Sequence, residues 1–273
     1  MGLINRVMTG LFDLVLFPFR SLDPMWGLAW VSLLVGVLML WIFGRVSNQD
    51  AIKVTRDRIR GNLIGIRLFG DDLGMLFRLQ ATIFRQTLTY LRYAMMPMLI
   101  MIVPLVLILI QLDLRFLTRP LEPGENTVVT VKLRDLSPVS NEVELSVPDG
   151  VTIETPGVRI ESEREVAWRV RVDEPGDYLL TLRAGADSVE KQLAASGRWA
   201  NVSRERTGAG LLDKIFHPGE APIPGANAIE SVSIQYAPLS LSVFGFGIDW
   251  LLFFFVASIA FGFAFKRVLG VEV

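Results

Sequence analysis

The sequence predicts a membrane α-helical protein, with three transmembrane helices and a helical hairpin, into which an all-β sandwich is inserted. Three observations support this prediction. The 273-residue chain is 51% hydrophobic, and its apolar residues gather in three charge-free runs. Two apolar stripes at helical spacing follow the first run. Short alternating runs punctuated by Pro/Gly turns follow the second.

The charge-free runs cover residues 24–44, 93–112 and 250–265, and they place the predicted spans at residues 24–44, 93–112 and 246–266. About 20 helical residues cross the roughly 30 Å hydrocarbon layer. Pro97 and Pro104 lie inside the second run, where neighbouring groups in a membrane can satisfy the freed carbonyls. The third run is apolar without interruption only over residues 250–265, which leaves two explanations. Either residues 244–248 extend the helix outward, or the helix sits in a locally thinned bilayer.

Positive charge in the flanking segments predicts the orientation. Segment 45–92 carries nine Lys/Arg against four Asp, whereas segment 113–249 carries fourteen Lys/Arg against twenty-one Asp/Glu. Cytoplasmic loops are enriched in Lys and Arg. We therefore expect a cytoplasmic helical hairpin at 45–92, a cytoplasmic tail at 267–273, and an N-terminus and β-domain outside. The expected location is the cytoplasmic (inner) membrane of a prokaryote, with the lipid bilayer as the first partner.

Residues 1–23 combine apolar side chains at helical spacing with the charged residues Arg6, Asp13 and Arg20. An amphipathic helix of this kind lies in the membrane interface. We expect it on the outer leaflet, ended by Pro18. The segment lacks a small-residue cleavage site, so the alternative interpretation is an uncleaved leader.

Segment 45–92 reads as two helices joined at Gly70-Asp71-Asp72, because a glycine C-cap followed by an Asp N-cap separates two apolar stripes. The second arm runs directly into the second span. Two interpretations of its basic residues stay open: solvated faces attracted to anionic lipid headgroups, or a docking surface for a ribosome or nascent chain. The candidate docking residues are Arg56, Arg60, Arg67, Arg78 and Arg85.

Residues 113–245 are predicted to form the β-domain. Between about 125 and 195, six short alternating runs are separated by turns such as Pro148-Asp149-Gly150. This spacing is typical of an immunoglobulin-like sandwich, with Trp168 facing the core. Residues 196–228 are rich in Gly and Pro and read as a long loop. Residues 229–243 read as a further strand that leads into the third span.

The composition argues against covalent chemistry. The chain has no cysteine and a single histidine, and the charge-free stretches 24–44, 93–112 and 250–265 contain no His, Asp, Glu or Ser–Lys pair. No nucleotide-binding motif or metal-ligand cluster is present. We therefore expect no enzyme activity, no catalytic residue, no metal and no cofactor. A net charge of −1 gives no reason to expect sequence-specific binding of nucleic acid.

The order of interfacial helix, span, cytoplasmic hairpin and span resembles the core of the YidC/Oxa/Alb membrane-insertase superfamily. Met25-Trp26-Gly27-Leu28 resembles the entry of the first core helix in bacterial YidC, and Gly70-Asp71-Asp72 matches the hairpin tip of several members. Residues 97–101, followed by Pro104, resemble the entry of the helix after the hairpin. The similarity covers about residues 4–115 and, by position, the third helix. The count of three spans is closer to the short archaeal and endoplasmic-reticulum branch.

The resemblance implies a chaperone-like insertase, which inserts client membrane proteins through a polar groove without covalent chemistry. Nascent or client membrane proteins are the implied partners, with a ribosome or translocon at the hairpin. The family's groove arginine aligns with Leu38, so that charge is missing, and Arg45 lies about two turns later. The candidate groove residues are Ser32, Arg45, Gln111 and Ser258.

The inserted β-domain is a second departure from the family pattern. It supports an alternative function, in which the helices only anchor the chain and the β-domain binds an extracytoplasmic protein partner. A groove lined with polar atoms would favour the insertase, and a filled apolar core between the three helices would favour the anchored scaffold.

Overall fold

The computed structural model describes residues 3–47, 49–68, 73–134, 143–196, 201–208, 210–225, 227–243 and 245–271. The chain divides into two compact units, which are described separately. The helical unit comprises Ala29–Val106 and Leu251–Val273, and the β-unit comprises Met1–Leu28 and Leu107–Trp250.

Three helices are long and apolar enough to cross a membrane, as the three apolar runs predict. The helices of the described residues are α1 (Leu3–Leu16), α2 (Pro24–Val46), α3 (Gln49–Leu68), α4 (Leu73–Phe116), α5 (Leu211–Phe216) and α6 (Trp250–Leu269). The long apolar ones are α2, α4 and α6. A single 3-10 turn, Phe17–Phe19, follows α1 and contains Pro18. The start of α2 is capped, because Asp23 Oδ1 accepts the Met25 N–H at 2.9 Å.

The second hairpin arm and the second predicted span belong to one helix. Helix α4 runs without a break for 44 residues and contains both Pro97 and Pro104. Near the middle of α3, Asn62 Nδ2 donates to Gln86 Oε1 of α4 at 2.9 Å, so the two arms are in contact. The predicted hairpin tip, Gly70-Asp71-Asp72, lies outside the described residues.

The structure contradicts the first of the two explanations offered for the third apolar run. Residues Phe246–Ile248 pair with Leu241–Val243 as a strand hairpin, so they do not extend the helix. Helix α6 instead begins at Trp250 and continues through Lys266 and Arg267 to Leu269, which gives 20 residues. At about 1.5 Å per residue the whole helix is about 30 Å long, with Lys266 and Arg267 in its last turn.

The β-rich region between α4 and α6 is confirmed, and its strands form two main sheets. One sheet has the order β3-β5-β1-β9-β8, with β4 also pairing with β5; the other has the order β2-β6-β7. All pairings are antiparallel. The strands are β1 (Asn126–Leu133), β2 (Val143–Ser146), β3 (Val151–Ile153), β4 (Val158–Ile160), β5 (Glu165–Val172), β6 (Gly176–Ala184), β7 (Asp187–Ala195), β8 (Glu205–Arg206), β9 (Ile229–Ile234), β10 (Leu241–Val243) and β11 (Phe246–Ile248).

A single hydrophobic core joins the two sheets. Alternate residues of β1, such as Val129 and Val131, are buried together with Val170 of β5 and Leu182 of β6. Trp168 is 5% exposed and belongs to the same core, as the alternation around it predicts. The period of two in these strands therefore reflects one buried face and one exposed face.

The segment that reads as a loop, 196–228, contains two short elements. Strand β8 adds to the edge of the larger sheet by pairing with β9, and helix α5 follows it. Both are too short for a periodic pattern in the sequence. The segment that leads from α4 into the β-strands is hydrogen-bonded to the segment that leaves them. The Arg119 N–H donates to Ala237 O and the Leu239 N–H donates to Leu117 O, each at 3.0 Å.

Replacing Glu125 with glutamine should remove part of the acid-dependent loss of stability of the β-unit. Arg119 donates two hydrogen bonds to this carboxylate, at 2.8 and 3.0 Å, and they lower the pKa of Glu125 below its ordinary value of 4.5. Because the pKa is lowered on folding, the stabilisation is complete above the unfolded value and is lost as pH falls through the folded value.

The measurement is thermal unfolding of the wild type and Glu125→Gln between about pH 3 and pH 7. The control is Glu122→Gln, because Glu122 is 70% exposed and lies 3.7 Å from Arg119. Stability curves that stay parallel for wild type and Glu125→Gln across the acid range would contradict the assignment.

Candidate functional site

A groove lies between the three long apolar helices, within the helical unit. It is a cavity of about 500 Å³ to which α2, α4 and α6 all contribute. Its lining residues are Val35, Gly36, Met39, Leu40, Phe43, Met98, Met101, Leu105, Phe255, Ser258, Ile259, Gly262, Phe263 and Lys266. Only Ser258 and Lys266 among them carry polar side chains. The groove is therefore open and apolar, and it matches neither a polar channel nor a filled core.

Helical spacing explains how each helix supplies its side of the groove. Residues four apart lie on one helix face, as in the α6 series Phe255, Ile259 and Phe263. The second α6 series, Ser258, Gly262 and Lys266, lies beside it. The Ser258 hydroxyl donates to Phe255 O of its own helix at 3.1 Å. Its polarity is therefore satisfied inside α6.

The structure brings only one of the four candidate groove residues to the groove, namely Ser258. Ser32 is fully buried but is not part of the lining. Arg45 is exposed, and its guanidinium carbon lies 5.4 Å from the centre of the Trp41 ring. Such an arrangement is a cation–π contact. Gln111 belongs to the β-unit, where it takes part in a buried polar cluster.

That cluster is built around Arg115 of α4, which is 2% exposed. Its Nη1 donates to Gln111 O at 3.0 Å and to Gln111 Oε1 at 2.8 Å. Its Nη2 donates to Asp13 Oδ1 at 2.9 Å and to Thr9 O at 3.3 Å. The Phe12 ring centre lies 5.5 Å from the guanidinium carbon. These contacts fasten α1 to the end of α4 through a charge that is paired and hydrogen-bonded, as a buried charge requires.

The face of α1 that does not contact Arg115 is apolar and exposed. Val7, Leu11, Leu14 and Phe17 are 51–73% exposed and recur at helical spacing. Arg115 was not predicted as a site residue, because the second predicted span ends at residue 112 and the charges after it read as flanking residues. The available signals were the four-residue spacing of Gln111 and Arg115 and the single Asp13 within an apolar helix.

The candidate docking residues of the hairpin lie on both arms. Arg60, Arg78 and Arg85 are exposed, and Arg56 is half-buried. The backbone of Arg67 is helical, but its side chain lies outside the described part of the structure. The arginines therefore form a basic surface along the described hairpin without converging on one point.

A second buried ion pair lies in the β-unit and was also missed. Lys191 of β7 is 0% exposed, and its ammonium group contacts the carboxylate of Glu220, which is 7% exposed. Lys191 lies on the inward face of β7 with Val189 and Leu193. Burial lowers the pKa of Lys191, and the neighbouring Glu220 carboxylate opposes that shift.

His217 lies at a smaller polar cavity of about 210 Å³ in the β-unit. Its Nε2 is 3.6 Å from Glu205 Oε2, and the same cavity contains the ion pair of Arg204 and Asp113 at 2.6 Å. Across the described residues, no group of three or more His, Asp or Glu side chains is placed to hold a metal ion. This cavity therefore has mixed charge and no ligand set for a metal.

A comparison with models of known protein families finds no match for this chain. A comparison with curated protein sequences also finds none. The resemblance to the YidC/Oxa/Alb superfamily thus stays a prediction from local motifs and element order.

Proposed function

We propose that this chain is a membrane-protein insertase or biogenesis factor similar to the YidC/Oxa/Alb superfamily. It would assist the insertion or folding of client membrane proteins without covalent chemistry. One observation carries the proposal: α2, α4 and α6 surround an open groove instead of packing into a closed core. Protein interiors are close-packed, with few voids larger than a water molecule. A cavity of about 500 Å³ therefore indicates a binding surface.

The lining of the groove suits an apolar client helix. Met39, Met98 and Met101 contribute flexible, polarizable side chains, which adapt to partners of different shape. The family's groove charge has no counterpart at Leu38, and the polar side chains Ser258 and Lys266 both come from α6. We therefore propose that the groove holds the apolar part of a client segment and leaves its polar flanks in water.

The proposed topology follows from the charge pattern. Segment 45–92 and the tail after α6 lie in the cytoplasm, and α1 and the β-domain lie on the other side of a prokaryotic inner membrane. In this topology α1 rests on the outer leaflet with Val7, Leu11 and Leu14 towards lipid, which accounts for their exposure. The hairpin arginines then face the ribosome or translocon, or anionic headgroups.

We further propose that the β-domain is immunoglobulin-like. The immunoglobulin constant-type sandwich pairs its strands as ABED and CFG. Reading β1 as strand B gives β1, β5 and β3/β4 as B, E and D, and β2, β6 and β7 as C, F and G. Strand β9 occupies the place of strand A, so the last strand of the sandwich leads towards α6.

Depletion of this protein should lower the abundance of multi-spanning proteins in the membrane fraction, and a variant with a filled groove should not restore them. Leu105→Trp places a large side chain in the groove. Val103→Trp is the matched control on α4, because Val103 is 64% exposed and is not part of the lining. We expect the Leu105→Trp protein to insert clients with an efficiency about tenfold lower, which corresponds to a loss of ~1.4 kcal/mol in the free energy of client binding.

Quantitative proteomics of membranes from depleted and complemented cells measures this effect. If no multi-spanning protein changes in abundance on depletion, the insertase proposal fails. It also fails if Leu105→Trp and Val103→Trp complement equally well.

A second candidate function, an anchored scaffold, is favoured by the edge of the larger sheet. All three residues of edge strand β4 are exposed, and Val158 (58%) and Ile160 (36%) are apolar. An exposed apolar edge strand can take a strand from a partner protein. In the same complementation experiment this function predicts the opposite pattern: Val158→Lys fails and Leu105→Trp succeeds.

A further inference from the structure

An unfilled coiled-coil seam runs along the hairpin part of α4. The seam consists of Phe77, Ala81, Phe84, Leu88 and Leu91, which are spaced alternately by four and three residues. This is the heptad spacing of positions that meet a partner helix. All five side chains are exposed, and Phe77 and Phe84 are 72% and 71% exposed. Large exposed apolar patches on a soluble segment mark interaction sites.

Among the described residues of the hairpin, this seam is not the face that holds the two arms together. Over the hairpin part of α4, the described residues that are partly shielded from solvent lie on the other side of the helix: Met75, Leu76, Leu79, Thr82, Ile83, Gln86 and Tyr90. Gln86 accepts the hydrogen bond from Asn62 of α3 at 2.9 Å. The α4 face that contacts α3 is therefore distinct from the seam, and the seam is available to another molecule.

Arginines flank the seam at the same repeat. Arg78, Arg85 and Arg92 each follow a seam residue directly and recur every seven residues. The sequence from residue 73 to residue 112 contains no Asp or Glu. In coiled coils, charges beside the apolar seam select the partner and its orientation. The partner that complements this row is negatively charged.

We propose that the seam of α4 binds an acidic amphipathic helix of a partner protein. The partner's apolar stripe packs between Phe77 and Leu91, and its Asp or Glu side chains pair with the arginines. This binding site would be part of the docking role proposed for the hairpin, and it rests on that proposal for the placement of the hairpin in the cytoplasm.

A second copy of the chain fits the seam less well. An antiparallel pair of α4 helices would place the flanking arginines opposite each other, which costs energy. A parallel pair would place them opposite Gln80 and Thr87, which carry no charge. The arginine row therefore selects a different helix.

Lipid does not explain the seam either. In the proposed topology the span begins at Tyr93, and Phe77 is about 24 Å further along a straight helix at about 1.5 Å per residue. The interfacial layer of a bilayer is only roughly 5–8 Å deep on each side. A surface that binds only the phosphate of a lipid headgroup would need the arginines but not the two exposed phenylalanines, Phe77 and Phe84.

Peptide binding to the full-length protein in nanodiscs of zwitterionic lipid tests the proposal. The probe is a fluorescent helix of about three heptads, with Leu at the seam positions and Glu at both flanking positions. The two comparison peptides carry Lys in place of Glu, or the acidic composition in scrambled order. Fluorescence anisotropy should show saturable binding of the acidic helix alone.

Seam and charge variants should change that binding in different ways. Phe84→Glu and Phe84→Ser should each weaken the acidic helix by about tenfold or more. The double variant Arg78→Glu/Arg85→Glu should reverse the preference, so that the Lys helix binds better. Lys53→Glu/Arg58→Glu, an equal charge change at two exposed positions of α3, should leave binding within about twofold of wild type. Circular dichroism checks that each variant keeps its helix content.

Three results would overturn the proposal. The first is that the scrambled acidic peptide or a single-stranded RNA binds as tightly as the acidic helix, with an affinity that Phe84→Ser does not change. That result would show a purely electrostatic surface. The second is that the protein self-associates through Phe84 in sedimentation experiments. That result would show that the seam binds a second copy of the chain. The third is that neither the acidic helix nor the Lys helix binds to the protein. Leu105→Trp separates this test from the insertase proposal, because it should impair insertion and still bind the peptide.

Discussion

Replacing Glu220 with glutamine should lower the free energy of unfolding of the β-unit by about 3–5 kcal/mol. Glu220 is the counter-ion of Lys191, whose side chain is fully buried on the inward face of β7. Burial already disfavours the ammonium ion, as the lowered pKa of Lys191 shows. Removing the carboxylate leaves that charge in the interior without compensation, which is one of the few mechanisms that give large single-site effects.

The hydrogen bonds of Glu220 show why the pair is so constrained. Its Oε1 accepts the Gln192 N–H at 2.7 Å, and its Oε2 accepts the Ser203 hydroxyl at 2.8 Å. Lys191 Nζ also donates to Ser203 O at 2.6 Å. The pair therefore ties β7 to the segment around residue 203 and to the segment around residue 220. We expect its loss to loosen these segments first.

Hydrogen exchange of the full-length protein measures this effect, because the slowest amides of β1, β5 and β6 report global opening of the β-unit. The matched control is Lys191→Met/Glu220→Gln, in which no buried charge remains and glutamine can still bond to Gln192 and Ser203. We expect the double variant to recover most of the stability, since apolar replacements of buried pairs are often neutral. A loss below about 1 kcal/mol in Glu220→Gln would contradict the prediction.

The apolar helices could be predicted because their signal is local. A charge-free run of about 20 residues has few alternatives to a membrane-spanning or fully buried helix. The period of two around Val129, Trp168 and Leu182 was equally informative, because each strand has one buried face. The end of the third helix was harder, because Lys266 and Arg267 carry α6 past the apolar run.

The ion pairs of the buried cations Arg115 and Lys191 could not be predicted, because each depends on a partner distant in sequence. Asp13 and Arg115 are 102 residues apart, and Lys191 and Glu220 are 29 residues apart. The alternation of Val189, Lys191 and Leu193 places the lysine inward, in conflict with its charge. That conflict was the available signal, but Glu220 lies in a Gly/Pro-rich stretch that has no period to orient it.

The residues that line the groove could not be predicted, for a different reason. A helix that is apolar on all sides carries no periodic signal that distinguishes its packed face from its lipid face. The predicted groove residues were therefore the polar ones, and of Ser32, Arg45, Gln111 and Ser258 only Ser258 lines the groove. The tight surroundings of Gly36 could not be predicted for the same reason.

Gly36→Ala should separate α2 from α6 and destabilise the helical unit by about 1–3 kcal/mol, the usual cost of overpacking. A methyl group at Gly36 would overlap the Ser258 backbone carbonyl oxygen and would lie 3.2 Å from Gly262 N. Both atoms belong to the α6 backbone, so neither can move aside as a flexible side chain could. The helix itself must shift, and the α2 and α6 walls of the groove shift with it.

Gly262→Ala is the matched control, because a methyl group there would lie 3.6 Å from Gly36 O, an ordinary van der Waals distance. The same chemical change in the facing helix should therefore have little effect. Unfolding in mixed micelles of increasing SDS content compares the stability of the two variants. The chain has no cysteine, so spin labels on Leu38→Cys and Val256→Cys, both at exposed positions, can report the separation of α2 and α6 without background. The close contact at Gly36 is disproved if both alanine variants unfold alike and keep the wild-type distance distribution.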